Sequence, residues 1–191
     1  MGELRVIAGK AKGRKLRSVP GDTTRPVTDR VKEALFNILG MDVVGASFLD
    51  LFGGTGAIGI EALSRGARWV RFIDLHRQPV ATIRINLKET GFEQQAQVLQ
   101  TDAFKLLEQE PDAVFDYVYI APPQYQNLWK RALLSLDHHP GWLSEDAWVI
   151  VQIHPVEYED LGSGGALGSL QVFDQRKYGS TLLIFLERIE N

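Results

Sequence analysis

The chain has no cysteine at all. Disulfides and thiolate metal ligands are therefore excluded, which fits a cytoplasmic protein. It also lacks any apolar run near the roughly 18 residues needed to span a bilayer. The start, Met1 to Arg17, is basic but has no apolar core of the kind a secretory signal carries. Its four histidines (His76, His138, His139 and His154) have no metal-ligand spacing with acids or with each other, so no metal is expected. No Ser/His/Asp set suggests nucleophilic catalysis, and there are no internal repeats. What remains is an ordinary composition, 45% hydrophobic and 24% charged over 191 residues, sized for one domain with a small appendage.

The most informative stretch that is present is Asp50-Leu-Phe-Gly-Gly-Thr-Gly-Ala-Ile-Gly59. The apolar run Phe48–Phe52 reads as a short buried strand, and a helical pattern follows Gly54-x-Gly56-x-x-Gly59. Glycines here permit a tight turn and let the backbone approach a ligand. The next helix offers free N–H groups and the positive end of its dipole. Together these features predict a nucleotide-sized pocket at the carboxyl end of a parallel strand, lined by the three glycines. The glycines alone do not choose between a dinucleotide and S-adenosylmethionine. Asp50, inside the strand, is placed to meet the amino group of an amino-acid ligand, and a carboxylate in an apolar strand needs a partner. Asp74, at the end of the next strand, is placed to accept from ribose hydroxyls, or else to cap the helix beginning near His76. Asp102, ending the third strand, can accept from an adenine amine with Ala103 or Phe104 flanking the ring, and can also cap its own helix. Phe52, Gly53 and Leu75 adjoin these positions and complete the expected cofactor-binding set.

From Ser47 onward strands and helices alternate, which predicts a parallel sheet with helices on both faces. Strands are expected at 47–52, 68–74, 96–101, 115–121 and 148–153, and helices near 57–65, 77–90, 103–110 and 127–136. Two final strands, near 170–176 and 181–187, are separated too briefly for a crossover and should pair antiparallel. Such an ending suits a class I methyltransferase fold better than a dinucleotide fold. Upstream, Val31, Ala34, Leu35, Ile38 and Leu39 form an amphipathic stripe for a helix starting near Thr28 or Asp29. Before it, β-prone runs flank Gly9–Gly13 as a hairpin. Gly162–Gly168 reads as a mobile linker.

The fourth strand runs into Ala121-Pro-Pro-Gln-Tyr125. This resembles the Asp/Asn-Pro-Pro-aromatic motif of methyltransferases that act on exocyclic amines of bases, with Ala121 in place of the acid and Gln124 inserted before the aromatic. Ala121 can offer only its backbone carbonyl, Pro122 and Pro123 fix the backbone, and Tyr125 or Tyr119 can stack on a base. The site is expected beside the cofactor's methyl group.

Charge is unevenly spread. Residues 1–33 carry nine basic against four acidic side chains, a net +5, whereas the whole chain is −3 and the remainder −8. A basic arm on an acidic body suggests a polyanion met by one face, with Lys10, Lys12, Arg14, Lys15 and Arg17 of the hairpin as candidate phosphate contacts. A solvated lysine-rich terminus is the plainer alternative.

Two blocks then become specific. Arg5-Val-Ile-Ala-Gly-Lys-Ala-Lys-Gly-Arg-Lys-Leu16 and Arg25-Pro-Val-Thr-Asp-Arg-Val-Lys-Glu-Ala-Leu-Phe-Asn-Ile-Leu39 closely resemble the RsmD family, bacterial small-subunit ribosomal RNA guanine-N2 methyltransferases. Leu49–Arg65 continues the likeness and Arg176-Lys-Tyr-Gly179 echoes the family's C-terminal end, so that it covers nearly the whole chain. The resemblance implies a class I, Rossmann-like fold: a mainly parallel seven-stranded sheet with an antiparallel last strand. It further implies S-adenosylmethionine as cofactor and methylation of a guanine exocyclic amine in 16S ribosomal RNA, free or within the small subunit. The expected organisation is a basic hairpin and loop at 1–24 and a methyltransferase domain at 25–191, working as a monomer. Ala121, Pro122, Pro123 and Tyr125 are the expected catalytic positions. A non-catalytic RNA-binding or assembly factor that retains the cofactor pocket is the rival reading, motivated by Ala121. A nucleotide-dependent oxidoreductase is a more distant one.

Overall fold

The structure, a computed structural model, describes residues 3–21, 27–161 and 167–189. Arg25 and Pro26 of the resemblance, and residues 162–166 of the glycine-dense linker, lie outside them. The chain forms two compact units, residues 1–102 and 103–191.

In the first unit, helix α1 (Asp29–Leu39) begins where the Thr28 hydroxyl accepts from Val31 N–H and ends at Gly40, φ 59°. Three strands follow, β1 (Ser47–Asp50), β2 (Trp69–Asp74) and β3 (Ala96–Gln100), in the order β3-β2-β1 and all parallel. Helices α2 (Ala57–Ser64) and α3 (Arg77–Thr90) connect them. β1 is buried at every position and β2 at all but its ends, as expected of parallel strands covered on both faces.

The N-terminal hairpin is present but hardly a β-structure: one antiparallel bridge, Arg5 to Lys15, and a few backbone hydrogen bonds around it. It is bound to the rest of its unit through buried polar groups. Glu61 of α2, fully buried, accepts from Ile7 N–H at 2.9 Å and Ala8 N–H at 3.1 Å. Ser64 accepts from Ala11 N–H at 2.9 Å. Lys32 of α1, also fully buried, donates to the Arg5 carbonyl and lies 3.6 Å from Glu61. Burial pushes the Lys32 pKa below the usual lysine range, against the pull of Glu61 and Asp29. Lys32 therefore does not belong with the exposed basic arm in which its charge was counted.

The second unit holds α4 (Ala103–Leu107), β4 (Phe115–Ile120), α5 (Leu128–His138), β5 (Leu143–Ile153), β6 (Leu170–Tyr178) and β7 (Thr181–Arg188). Strand order is β4-β5-β7-β6, with β4 and β5 parallel and β7 antiparallel to both of its neighbours. β5 begins at Leu143, five residues earlier than its apolar run suggests, because Ser144, Glu145 and Asp146 continue the strand with little burial. The buried Phe115 and Trp142 rings stack with their centroids 6.4 Å apart. At the entry to β6, Asp137 accepts from Gly168, Ser169 and Leu170 N–H groups and from the Ser169 hydroxyl, at 2.8–3.0 Å. Seven strands, the parallel ones first and the antiparallel pair last, give the mixed α/β fold expected from the sequence.

Candidate active site

In the first unit the polypeptide leaves β1 at Asp50 and turns through Leu51–Gly56 into α2. Two of the glycines show opposite reasons for being glycine. Gly54 has φ 56°, a left-handed value that side chains resist, and a Cβ on it would meet open space. The restriction at Gly54 is thus conformational, and the space beside it is available to a ligand. Gly59 is the opposite case. Its imagined Cβ would lie 2.3 Å from the Phe72 ring, so this glycine lets α2 pack against β2 and does not line a pocket. That corrects the expectation for the third glycine.

Asp50 is 3% exposed, and its Oδ1 has no hydrogen-bond partner among the described residues. Burial pushes its pKa up to about 7, the Phe52 N–H pulls it down, and nearby Asp74 pushes it up again. A buried acceptor left open is costly unless something fills it. Asp74 does two jobs within the protein: Oδ2 accepts from Gly54 N–H at 3.1 Å and Oδ1 from His76 N–H at 3.0 Å. The two readings of Asp74 are therefore not exclusive, since a carboxylate offers about four acceptor sites. Gly53 is held by its own N–H on the Ile73 carbonyl at 2.7 Å. Leu75, just past Asp74, is 55% exposed. Asp102 follows β3, whose end is tied to β2 by Thr101 N–H on the Asp74 carbonyl. In the second unit, Ala103 opens α4 and is buried, while the Arg131 guanidinium lies 3.8 Å from the Phe104 ring centroid and covers one face of that ring.

Asn86 of α3 was not singled out from the sequence, where it is one polar residue in an amphipathic helix. It is fully buried and its amide satisfies three backbone groups: Oδ1 accepts from Arg17 N–H at 2.7 Å, and Nδ2 donates to the Arg17 carbonyl at 3.0 Å and the Thr55 carbonyl at 2.8 Å. It thereby joins the base of the hairpin to the glycine turn.

In the second unit, β4 delivers Ala121, Pro122, Pro123, Gln124 and Tyr125. Ala121 and Pro122 are half-buried, and Pro123, Gln124 and Tyr125 are exposed. Tyr125 is 68% exposed, with φ 63°. Tyr119 is excluded as a stacking residue: it is 3% exposed and its hydroxyl is bonded to Gln152 of β5.

On the hairpin, Lys10, Lys12, Arg14, Lys15 and Arg17 are all exposed. Lys15 pairs with Glu3 at 2.7 Å and Arg17 with Glu89, which raises the Arg17 pKa and lowers that of Glu89. Lys10, Lys12 and Arg14 have no ion pair among the described residues.

A seven-stranded α/β fold with an antiparallel last strand, a glycine turn after β1 and an open buried acid beside it defines a class I methyltransferase fold. The chain belongs to the family described as conserved hypothetical protein 95, the RsmD family of the sequence resemblance, whose model matches residues 4–187. It is 37% identical to ribosomal RNA small subunit methyltransferase D of Haemophilus influenzae, over 79% of both chains. The protein of the same name from Escherichia coli is 36% identical over 79% of this chain and 75% of its own. Among solved structures, Escherichia coli yhhF superposes with a TM-score of 0.83 at 32% identity, covering 98% of each chain. An RNA methyltransferase of Salinibacter ruber, solved with S-adenosyl-L-homocysteine, shares the fold alone: TM-score 0.65 and 19% identity over 87% of this chain and 95% of that one. The oxidoreductase alternative lapses with family membership.

Proposed function

We propose that the protein transfers the methyl group of S-adenosylmethionine to the exocyclic N2 amine of a guanine in small-subunit ribosomal RNA. The observation that carries this reading is Asp50 Oδ1, without a partner among the described residues, at the head of a turn in which Gly54 faces open space. An ammonium group supplies what that oxygen lacks, and a nucleotide half has room where a Cβ is missing. The names of the relatives supply the substrate class. The residues fit the cofactor: Asp50 for its amino group, Phe52, Gly53, Gly54 and Gly56 around the turn, Asp74 for ribose hydroxyls through its remaining lone pairs, and Leu75, Asp102 and Ala103 for the adenine. When bound, the cofactor supplies an electrophilic methyl carbon on a sulfonium.

The other tasks fall to this chain. The guanine amine is a poor nucleophile because its lone pair is delocalised into the ring, so alignment and desolvation are the main contributions the protein can make. The Ala121 and Pro122 carbonyls accept from the amine, and Tyr125 offers its exposed ring to the base. The amine proton leaves to water after alkylation, without a strong base. Lys10, Lys12 and Arg14 hold phosphates and read no sequence; Lys15 and Arg17 join them once released from their acidic partners. The target base must be turned out of its helix or presented in a loop. In this reading the protein works as a cytoplasmic monomer, with the hairpin as its RNA-facing part and the rest of the chain as the methyltransferase proper. Among the described residues no helix is long and apolar enough to cross a membrane.

The test is methyl transfer from labelled cofactor to unmodified ribosomal RNA and to small subunits, followed by nucleoside mass spectrometry. N2-methylguanosine is the expected product, and a different methylated nucleoside would overturn the assignment. A second reading, an RNA-binding assembly factor that keeps the cofactor pocket, is favoured by Ala121, where the motif's acid is missing. Cofactor binding with no transfer to any ribosomal substrate would establish it.

A further inference from the structure

The loop carrying Tyr125 is fastened by a residue that neither the motif nor the family resemblance assigns. Tyr125 and Asn127 both have left-handed φ values, 63° and 52°, where side-chain-bearing residues are uncommon and stay only if the surroundings hold them. Pro122 and Pro123 have no N–H with which to tie the loop down. The tie comes from Glu157, in the short turn Pro155–Glu157 after β5, whose Oε2 accepts from Tyr125 N–H at 2.8 Å. Its other oxygen accepts from His154 N–H at 3.3 Å, and His154 Nδ1 accepts in turn from Val156 N–H at 3.3 Å. One carboxylate thus spans two loops. The Tyr125 ring, 68% exposed, stands 6.1 Å from the His154 ring at 41°, and Val156 beside it is 72% exposed.

We propose that Glu157 is a positioning residue for methyl transfer: it fixes the left-handed turn at Tyr125 and so sets the plane in which the Tyr125 ring meets the target base. This rests on the functional reading above. A hydrogen bond to a carboxylate is stronger than one to a neutral acceptor, and here it replaces the glycine that would make such a turn undemanding. It also ties the plane of the base to the end of β5, a rigid element, where a free loop would leave the ring to wander.

The test compares Glu157→Ala, Glu157→Gln, Tyr125→Ala and the Glu157→Ala/Tyr125→Ala pair. Readouts are single-turnover methyl transfer at saturating RNA, cofactor affinity by calorimetry, and hydrogen exchange at the Tyr125 amide. Glu157→Ala is expected to slow transfer roughly 10- to 100-fold with cofactor affinity unchanged, the scale of a small misplacement of a reacting group. Its Tyr125 amide should exchange faster. Glu157→Gln should recover most of the rate, because its amide oxygen accepts the same bond. The double variant should be no slower than Tyr125→Ala, since both changes remove one device. Parent-like transfer by Glu157→Ala, unchanged Tyr125 exchange, or multiplying losses in the double variant would overturn the inference while leaving the functional reading intact. A fall in melting temperature or cofactor affinity that accounts for the lost rate would also overturn it, because the role would then be structural. Absence of transfer by the parent defeats the functional reading itself, and this inference with it.

Discussion

Asp50 and Asp137 are both buried carboxylates, 3% and 8% exposed, and the protein treats them in opposite ways. At Asp137, burial pushes the pKa up, but the N–H groups of Gly168, Ser169 and Leu170 and the Ser169 hydroxyl outweigh it and bring the pKa below the usual carboxylate value. Asp50 receives one N–H, from Phe52, keeps an open oxygen, and is pushed up to about 7. Burial is common to both, so burial does not mark a functional acid. Donor supply does. Asp137 is complete within the fold and holds the entry of β6 in place; Asp50, at the head of the turn in which Gly54 faces open space, has no partner for Oδ1 among the described residues.

The contrast breaks most visibly at Asp137. Asp137→Ala would strand three backbone N–H groups, and we expect a loss of about 3–5 kcal/mol in urea unfolding. A loss below about 1 kcal/mol would show that water can replace the clamp.

At Asp50 the opposite sign is expected. Its folded pKa of about 7 lies above the unfolded 3.8, so the folded state keeps a proton that the unfolded state has already lost between those values. Stability therefore falls as pH rises from about 4 to about 7, and the full penalty, on the order of 4 kcal/mol before solvent relaxation, is present above that. Asp50→Asn should be more stable than the parent at pH 8 and equal to it near pH 4, by calorimetry. The same change should weaken S-adenosylmethionine by roughly 1.5–3 kcal/mol at pH 8, because the ammonium loses its charged acceptor. In the parent, cofactor affinity should decline below pH 7; a flat profile would sever the pairing of Asp50 with an ammonium.

On the RNA side, Lys10, Lys12 and Arg14 replaced together by alanine should make log affinity about two units less steep in log salt, at ~0.7–0.9 per phosphate contact. Cofactor affinity should hold. An unaltered slope in filter binding would make the arm a solvated surface. Last, Ala121→Asp should raise the single-turnover rate about tenfold, the yield of one charge-assisted hydrogen bond realised mainly in the transition state. Ala121 is half-buried, so a carboxylate there keeps contact with water. A slower or unstable variant would show that the loop has been repacked around the alanine.

The glycine turn, the alternation of strands and helices, and the antiparallel ending were legible because each depends on local rules: a turn needs glycine, a buried strand needs apolar residues, and a four-residue gap permits only a hairpin. The Thr28 cap and the Gly40 stop were legible for the same reason. What escaped depended on partners distant in sequence. Lys32 reads as one more basic residue until Glu61 and the Arg5 carbonyl enclose it. Tyr119 and Tyr125 are equivalent aromatics until β4 turns one inward. Glu157 lies 32 residues from the Tyr125 N–H that it holds, and Asn86 lies 69 from Arg17, with nothing local to mark either. The open oxygen of Asp50 was half legible: the sequence required a partner for it, and only the structure showed that none of the described residues serves Oδ1.

Asn86 has a consequence for how this protein can be cut and joined. Nucleic-acid-binding arms are often portable, moved from one enzyme to another or trimmed without harm to the catalytic body. Here a single amide closes on the Arg17 backbone and on the Thr55 carbonyl at once. Removing the first seventeen residues would leave that amide half-satisfied inside the fold, against the glycine turn after β1. The arm is a splint within its own unit, and a chimera that exchanges it would have to carry the matching residue on α3.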